Sequence, residues 1–191
     1  STPASQQLPL PVDDLGKRAV AYGMKLIEAD GQDVEAVYLA TLADAGPKLL
    51  ELWQRALSAA PDPASAIKDI GMAYYGHARS RSPVMRLWFQ AVGEAADPEV
   101  RALVAETLGK AVGLVQAVIE DGQGAGVFRD DMDTRTAAWE FMGIGFSMDL
   151  AHVLGFGDEL SRETVEEMGD RFIDSLRPRA ETTTTGRGVT E

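Results

Sequence analysis

The chain has no cysteine and, in 191 residues, only two histidines, His77 and His152. A disulfide framework, a thiolate nucleophile and a cysteine-based metal site are therefore excluded, and histidine-centred catalysis has little to work with. Basic residues are outnumbered, 18 Lys and Arg against 30 Asp and Glu, for a formal charge of −12. That balance favours solubility and opposes nonspecific attraction to nucleic acid or an anionic membrane. Strand-like alternation and internal repeats are missing. So is a phosphate-binding loop, because GQGAG at 122–126 and GFG at 155–157 follow no strand pattern. Asp130, Asp131 and Asp133 lack the glycine and glutamate of a calcium loop. No G-x-S-x-G occurs, and the carboxylates read as solvated faces, away from the apolar settings that tune an acid. The expectation is a protein with no catalytic residue, no metal and no cofactor.

Long uninterrupted apolar runs are also lacking. The most apolar stretch, WEFMGIGFSMDLAHVLGFG at 139–157, is broken by Glu140, Asp149 and His152 and makes a poor membrane span. The opening STPASQQLPLPVDD carries no apolar h-region. A cytoplasmic location without a membrane partner is expected. Residues 1–11 and 179–191 read as disordered tails, being rich in Ser, Pro, Thr or Gly with little to bury.

What is present is helical punctuation. Asp62-Pro63 and Asp97-Pro98 each place a capping acceptor before a proline at the first helical position. Asp133 and Ser161 are further caps, and Gly31, Gly46, GQGAG, Gly155, Gly157 and Pro178 are stops. Helices are expected at roughly 13–30, 33–45, 47–60, 63–80, 83–95, 98–121, 133–156 and 162–176, joined by short connections. The fold class is all-α, a multi-helix bundle.

Most of these helices show one apolar stripe. In 98–121 it comprises Val100, Val104, Leu108, Ala111, Val115 and Val118; in 162–176, Val165, Met168, Phe172 and Leu176. Helix 133–156 shows two. Phe141, Ile144, Met148 and Ala151 form one, and Trp139, Met142, Phe146, Leu150 and Val153 the other, beside the small Gly143 and Gly145. A central helix could bury both stripes within one subunit, or the second could meet a second copy. The pattern alone leaves both open.

The stretches PVMRLWFQAVGEAADPEVRALV and IEDGQGAGVFRDDMDTRTAAWEFMGIGFSM, with a last helix ending FIDSLRP, resemble the C-terminal ligand-binding and dimerisation domain of TetR-family (tetracycline-repressor-like) transcriptional regulators. The marks are Gly126, Arg129, Asp131 and Asp133, leading into Ala137 and Ala138. The resemblance covers residues 47–178 and implies a homodimer, joined by a four-helix bundle built from 133–156 and 162–176 of each copy. Trp139, Gly143, Phe146, Leu150, Val165, Met168 and Phe172 are the expected interface. It also implies a small-molecule effector. Trp53, Met72, Tyr74, Tyr75, Met85, Trp88, Phe89, Met142 and Phe146 supply flat, polarisable surface that suits an apolar or aromatic one; each alone reads more readily as core, and it is the group that points to a pocket.

The front of the chain departs from that family. Residues 12–46 resemble only a truncated or degenerate helix-turn-helix, since Gly46 runs directly into PKLLELWQRAL where a recognition helix should follow. Residues 1–60 carry five Lys or Arg against eight Asp or Glu, a local −3, the wrong sign for phosphate binding. The DNA-reading part is lost, replaced or absent from this chain, and no DNA-contacting residue can be named. Two functions follow: a regulator, of repressor type by the family's example, that binds an operator and senses an effector; or a TetR-like dimer without DNA binding, which sequesters a ligand or docks onto a protein. His77 reads as a helix-end residue favoured by the dipole, and His152 as the hydrogen-bonding partner of Asp149 three residues before it.

Overall fold

In a computed structural model describing residues 31–80 and 82–178, six helices and no strand are found among the described residues. They are α1 (Gly31–Ala59), α2 (Pro63–Ser80), α3 (Ser82–Gly93), α4 (Pro98–Gly124), α5 (Thr134–Leu154) and α6 (Arg162–Leu176). The expected tails and the helix at 13–30 lie outside the described residues. The all-α class holds.

The expected caps form. The Asp97 carboxylate accepts from the backbone N–H of Glu99 at 2.7 Å and of Val100 at 3.2 Å. Asp62 accepts from Ser65 N–H at 2.9 Å, Asp133 from Thr136 N–H at 2.7 Å, and the Ser161 hydroxyl from Thr164 N–H at 3.2 Å. Each satisfies an amide that the first helical turn leaves without a partner. Gly155 ends α5 in the left-handed region, at φ 88°, where a side chain would be strained.

One expected boundary does not exist. Instead of breaking at Gly46-Pro47, α1 continues through both residues. Pro47 forfeits one backbone hydrogen bond, but Leu42 and Trp53, on either side of it, are both buried and hold the helix together. Gly46 is needed for approach: a Cβ there would lie 2.6 Å from Thr107 of α4. Tertiary packing overrides the local stop.

The main core cluster holds Trp53, Ile67, Ile70, Val112, Val115 and Ile119, all almost wholly buried, and a smaller second cluster joins Leu42, Leu87, Ala91 and Val100. Trp53 meets Tyr74 edge-on at 5.9 Å and Phe141 at 6.4 Å, and Phe141 meets Phe172 at 5.6 Å. Helix α5 packs along α4, whereas α6 lies chiefly against α2. The Gly126–Asp133 segment closes the far end. Phe128 drives its ring against Gly122, Arg129 N–H bonds to the Leu176 carbonyl at 2.8 Å, and the Arg129 guanidinium pairs with Asp131. The residues that mark the family resemblance thus perform a structural task, tying the α4–α5 turn to the end of α6. Helix α4 is long and apolar enough to cross a membrane, yet its Ala111–Ile119 face is part of this core.

Candidate functional site

Two apolar cavities meet at the middle of the bundle. The first opens between α2, α5 and α6, with a cavity volume of about 40 Å³. The second lies among α1, α3, α4 and α5, with a cavity volume of about 90 Å³. Trp53, Tyr74, Met142 and Phe146 line both, so these four side chains stand at the junction of a two-lobed site.

The helix register explains the arrangement. Helix α5 has apolar residues nearly all round, so Phe141 and Met148 can serve the core while Met142 and Phe146 reach the junction. Gly145 gives room: a Cβ there would come within 3.3 Å of the Tyr74 ring. From α2, Ile67, Gly71 and Met72 line the first lobe, which carries Lys68 and Glu166 in its lining. Lys68 is paired with Asp170 at 2.7 Å, which ties α2 to α6. The second lobe takes Trp88 and Phe89 from α3, Thr107, Leu108 and Ala111 from α4, and Asp149 from α5.

Asp149 is the site's electrostatic centre. At 5% exposure it is the single buried charged residue among the described residues. The Tyr74 hydroxyl donates to its Oδ2, while its Oδ1 is buried without a hydrogen-bond partner. Burial pushes the carboxyl up to about 6, against the opposing pull of the Tyr74 hydrogen bond. The phenol is raised still further from its ordinary value, first by burial and then by the neighbouring carboxylate, so it remains a donor. The Trp53 indole N–H, in a residue 2% exposed, likewise lacks a partner. An apolar chamber whose lining residues carry one unmatched acceptor and one unmatched donor can hold a lipophilic molecule and offer partners to its polar end.

The expected ligand residues divide plainly. Trp53, Met142 and Phe146 line both lobes, Met72 the first, and Trp88 and Phe89 the second. Tyr75 lines neither; its hydroxyl donates to the Leu160 carbonyl at 3.4 Å and accepts from Arg79 at 3.2 Å. Met85 lies outside the described side chains. Asp149 was missed by the expectation that every carboxylate sits on a solvated face, and the expected Asp149–His152 pair is not formed. Tyr74 holds Asp149, and His152 instead packs close to Gly157. The signal was present: Asp149 is the one acid in the apolar run between Phe141 and Leu154.

The expected interface residues divide too. Trp139 and Phe146 are each 42% exposed and Leu150 48%, on the outer face of α5 with Gly143 between them. Val165 and Phe172 are buried inside the subunit, and Met168 is half-buried. The outward apolar stripe is therefore carried by α5, extended by Leu154 at its end. Among the described residues no cluster of three or more His, Asp or Glu could hold a metal ion.

No family model and no curated protein matches the chain in sequence. Solved structures do match. A protein of unknown function from Rhodococcus sp. RHA1 superposes with a TM-score of 0.66 at 16% identity, covering 92% of this chain and 100% of that one. A bacterial regulatory protein in the tetR family from Rhodococcus RHA1 gives 0.62 at 13%, covering 88% and 98%. The ketosteroid transcriptional regulator KstR2 of Mycobacterium tuberculosis gives 0.60 at 12%, covering 91% and 98%. The chain therefore shares the all-α fold of these structures, and the two neighbours named for a function are both regulators.

Proposed function

We propose that this protein is a TetR-like transcriptional regulator, of repressor type, that senses a small apolar or aromatic effector in the two-lobed site. The observation that carries the reading is the junction of Trp53, Tyr74, Met142 and Phe146, where two apolar cavities meet on helices from both ends of the chain. The outer stripe of α5 (Trp139, Phe146, Leu150) supports a homodimer, because an exposed apolar row of this kind marks an interaction surface. Effector bound against α5 would then alter how two copies sit together and so the spacing of their DNA-reading parts. The coupling is reciprocal, DNA weakening effector binding by the same factor.

A second reading is a dimer that binds ligand but not DNA. The charge of the front segment favours it, since residues 1–60 carry a net −3. Binding of the chain to labelled genomic fragments across a salt series separates the two. Tight, sequence-selective binding with a steep salt slope, relieved by an apolar ligand, is the expected result. No binding at low salt sinks the regulator reading and leaves the ligand-binding dimer.

A further inference from the structure

Among the described residues, the second lobe contains one charged side chain and no cation to answer it. Asp149 faces a lining otherwise made of Trp, Phe, Leu, Met, Val, Ala, Tyr and Thr. The nearest candidate in the adjoining lobe, Lys68, is held by Asp170. Tyr74 satisfies Oδ2 only, so Oδ1 is left as a buried acceptor without a partner, on a residue that lines an apolar chamber. A lone carboxyl in such a place must take up a proton or acquire a counter-charge.

We propose that the second lobe receives a lipophilic amine in its ammonium form. Its N⁺–H donates to Asp149 Oδ1, and its apolar body lies among Trp53, Trp88, Phe89 and Phe146. This rests on the effector-binding reading and names the ligand's chemical class. Three features of the lobe select an ammonium over other lipophiles. A charge-assisted hydrogen bond to an otherwise unpaired carboxylate is about twice as strong as a neutral one. The aromatic lining offers ring faces that attract a desolvated cation. A ligand carboxylate would face Asp149 with like charge and, among the described residues, no basic residue in the lobe to offset it. An alcohol supplies the donor but leaves the charge unmatched. The Trp53 N–H, buried without a partner, takes an acceptor oxygen where the ligand's body carries one.

Three probes with one body test this on the full chain: naphthylethylamine, naphthylethanol and naphthylacetate, with binding measured by calorimetry at neutral pH. The expected order is amine, alcohol, carboxylate, the amine leading the alcohol by about tenfold or more. In Asp149→Asn the amine should fall to the level of the alcohol, while alcohol binding persists. Equal affinity of amine and alcohol for the unaltered protein overturns the proposal, as does an amine lead that survives in Asp149→Asn. Should that variant not fold, the ranking in the unaltered protein decides alone. Failure of all three probes to bind removes the effector-cavity reading itself, and this proposal with it; alcohol binding without an amine preference removes only this proposal.

Discussion

Replacing Asp149 with Asn should change how the protein's stability depends on pH, and the sign is fixed by burial. The carboxyl titrates near 3.8 in the unfolded chain and is pushed up to about 6 in the fold. Between those values the folded state holds the proton more tightly, so stability falls as pH rises through the interval. Above about pH 6 the whole cost of keeping the anion buried is present. A shift of about two units corresponds to roughly 3 kcal/mol. The chain's pI near 4.6 argues against measuring at the acid end. Between about pH 5 and about pH 8 roughly 1.4 kcal/mol, about half, would be read. The assay is urea unfolding of both proteins at several pH values, taken as the difference between them. The difference matters because Asp62, Glu106 and Asp133 behave oppositely. Ser65, Lys110 and Thr136 respectively stabilise their anions and lower their values, so they lend stability that is lost as pH falls. Relative to Asp149→Asn, the unaltered protein should lose stability from pH 5 to pH 8. A difference that is flat with pH, or that runs the other way, would mean the Tyr74 hydrogen bond outweighs burial, and the lone-acid picture of the second lobe would be wrong.

Three further outcomes follow from particular contacts. Trp139→Glu alters the outer stripe without touching either lobe, and should convert a dimer to a monomer in light scattering; an unchanged dimer mass would place the subunit contact elsewhere. Gly122→Ala puts a methyl 2.0 Å from a Phe128 ring carbon, in a residue 2% exposed, and should lower stability by about 1–3 kcal/mol in denaturant unfolding. A loss below that range would mean the Gly126–Asp133 turn yields freely. Trp88→Ala should weaken binding of an apolar amine, whereas Met72→Ala, confined to the first lobe, should leave it nearly unchanged. Equal losses in calorimetry would mean the ligand spans both lobes.

The helix starts were legible because their signals are local. Asp97-Pro98 and Asp133 need only their own next three residues to act, so the chain order contains the whole interaction. Gly46-Pro47 misled for the opposite reason. Its outcome is set by Thr107, sixty-one positions away, and by the burial of Leu42 and Trp53. The candidate site was legible as a composition: Trp53, Met72, Trp88, Phe89, Met142 and Phe146 all line it. Which of these face one another was not, and Tyr75 is spent on Leu160 and Arg79 instead. Asp149 was hidden by a rule that is right for most acids. Its partner Tyr74 lies 75 residues away, and only the bundle brings the two together.

The double striping of α5 has a mechanical consequence. Phe141 and Met148 anchor one side of the helix in the core, while Trp139, Phe146 and Leu150 stand on its outer face. Phe146 belongs to both worlds: it is 42% exposed and it lines both lobes. In the proposed dimer, a ligand that seats against Met142 and Phe146 would press on the same side chain that the outer stripe would offer to a second copy. Coupling between ligand and subunit arrangement then needs no long relay, because the two surfaces share a residue, and a ligand can shift that arrangement only by its differential affinity for the two states. Phe146→Leu keeps the stripe apolar but shortens the shared side chain. It should leave dimerisation nearly intact while reducing the change in dimer affinity that an apolar amine produces, measured by sedimentation with and without ligand. An undiminished ligand effect would show that the lobes and the stripe communicate by another route.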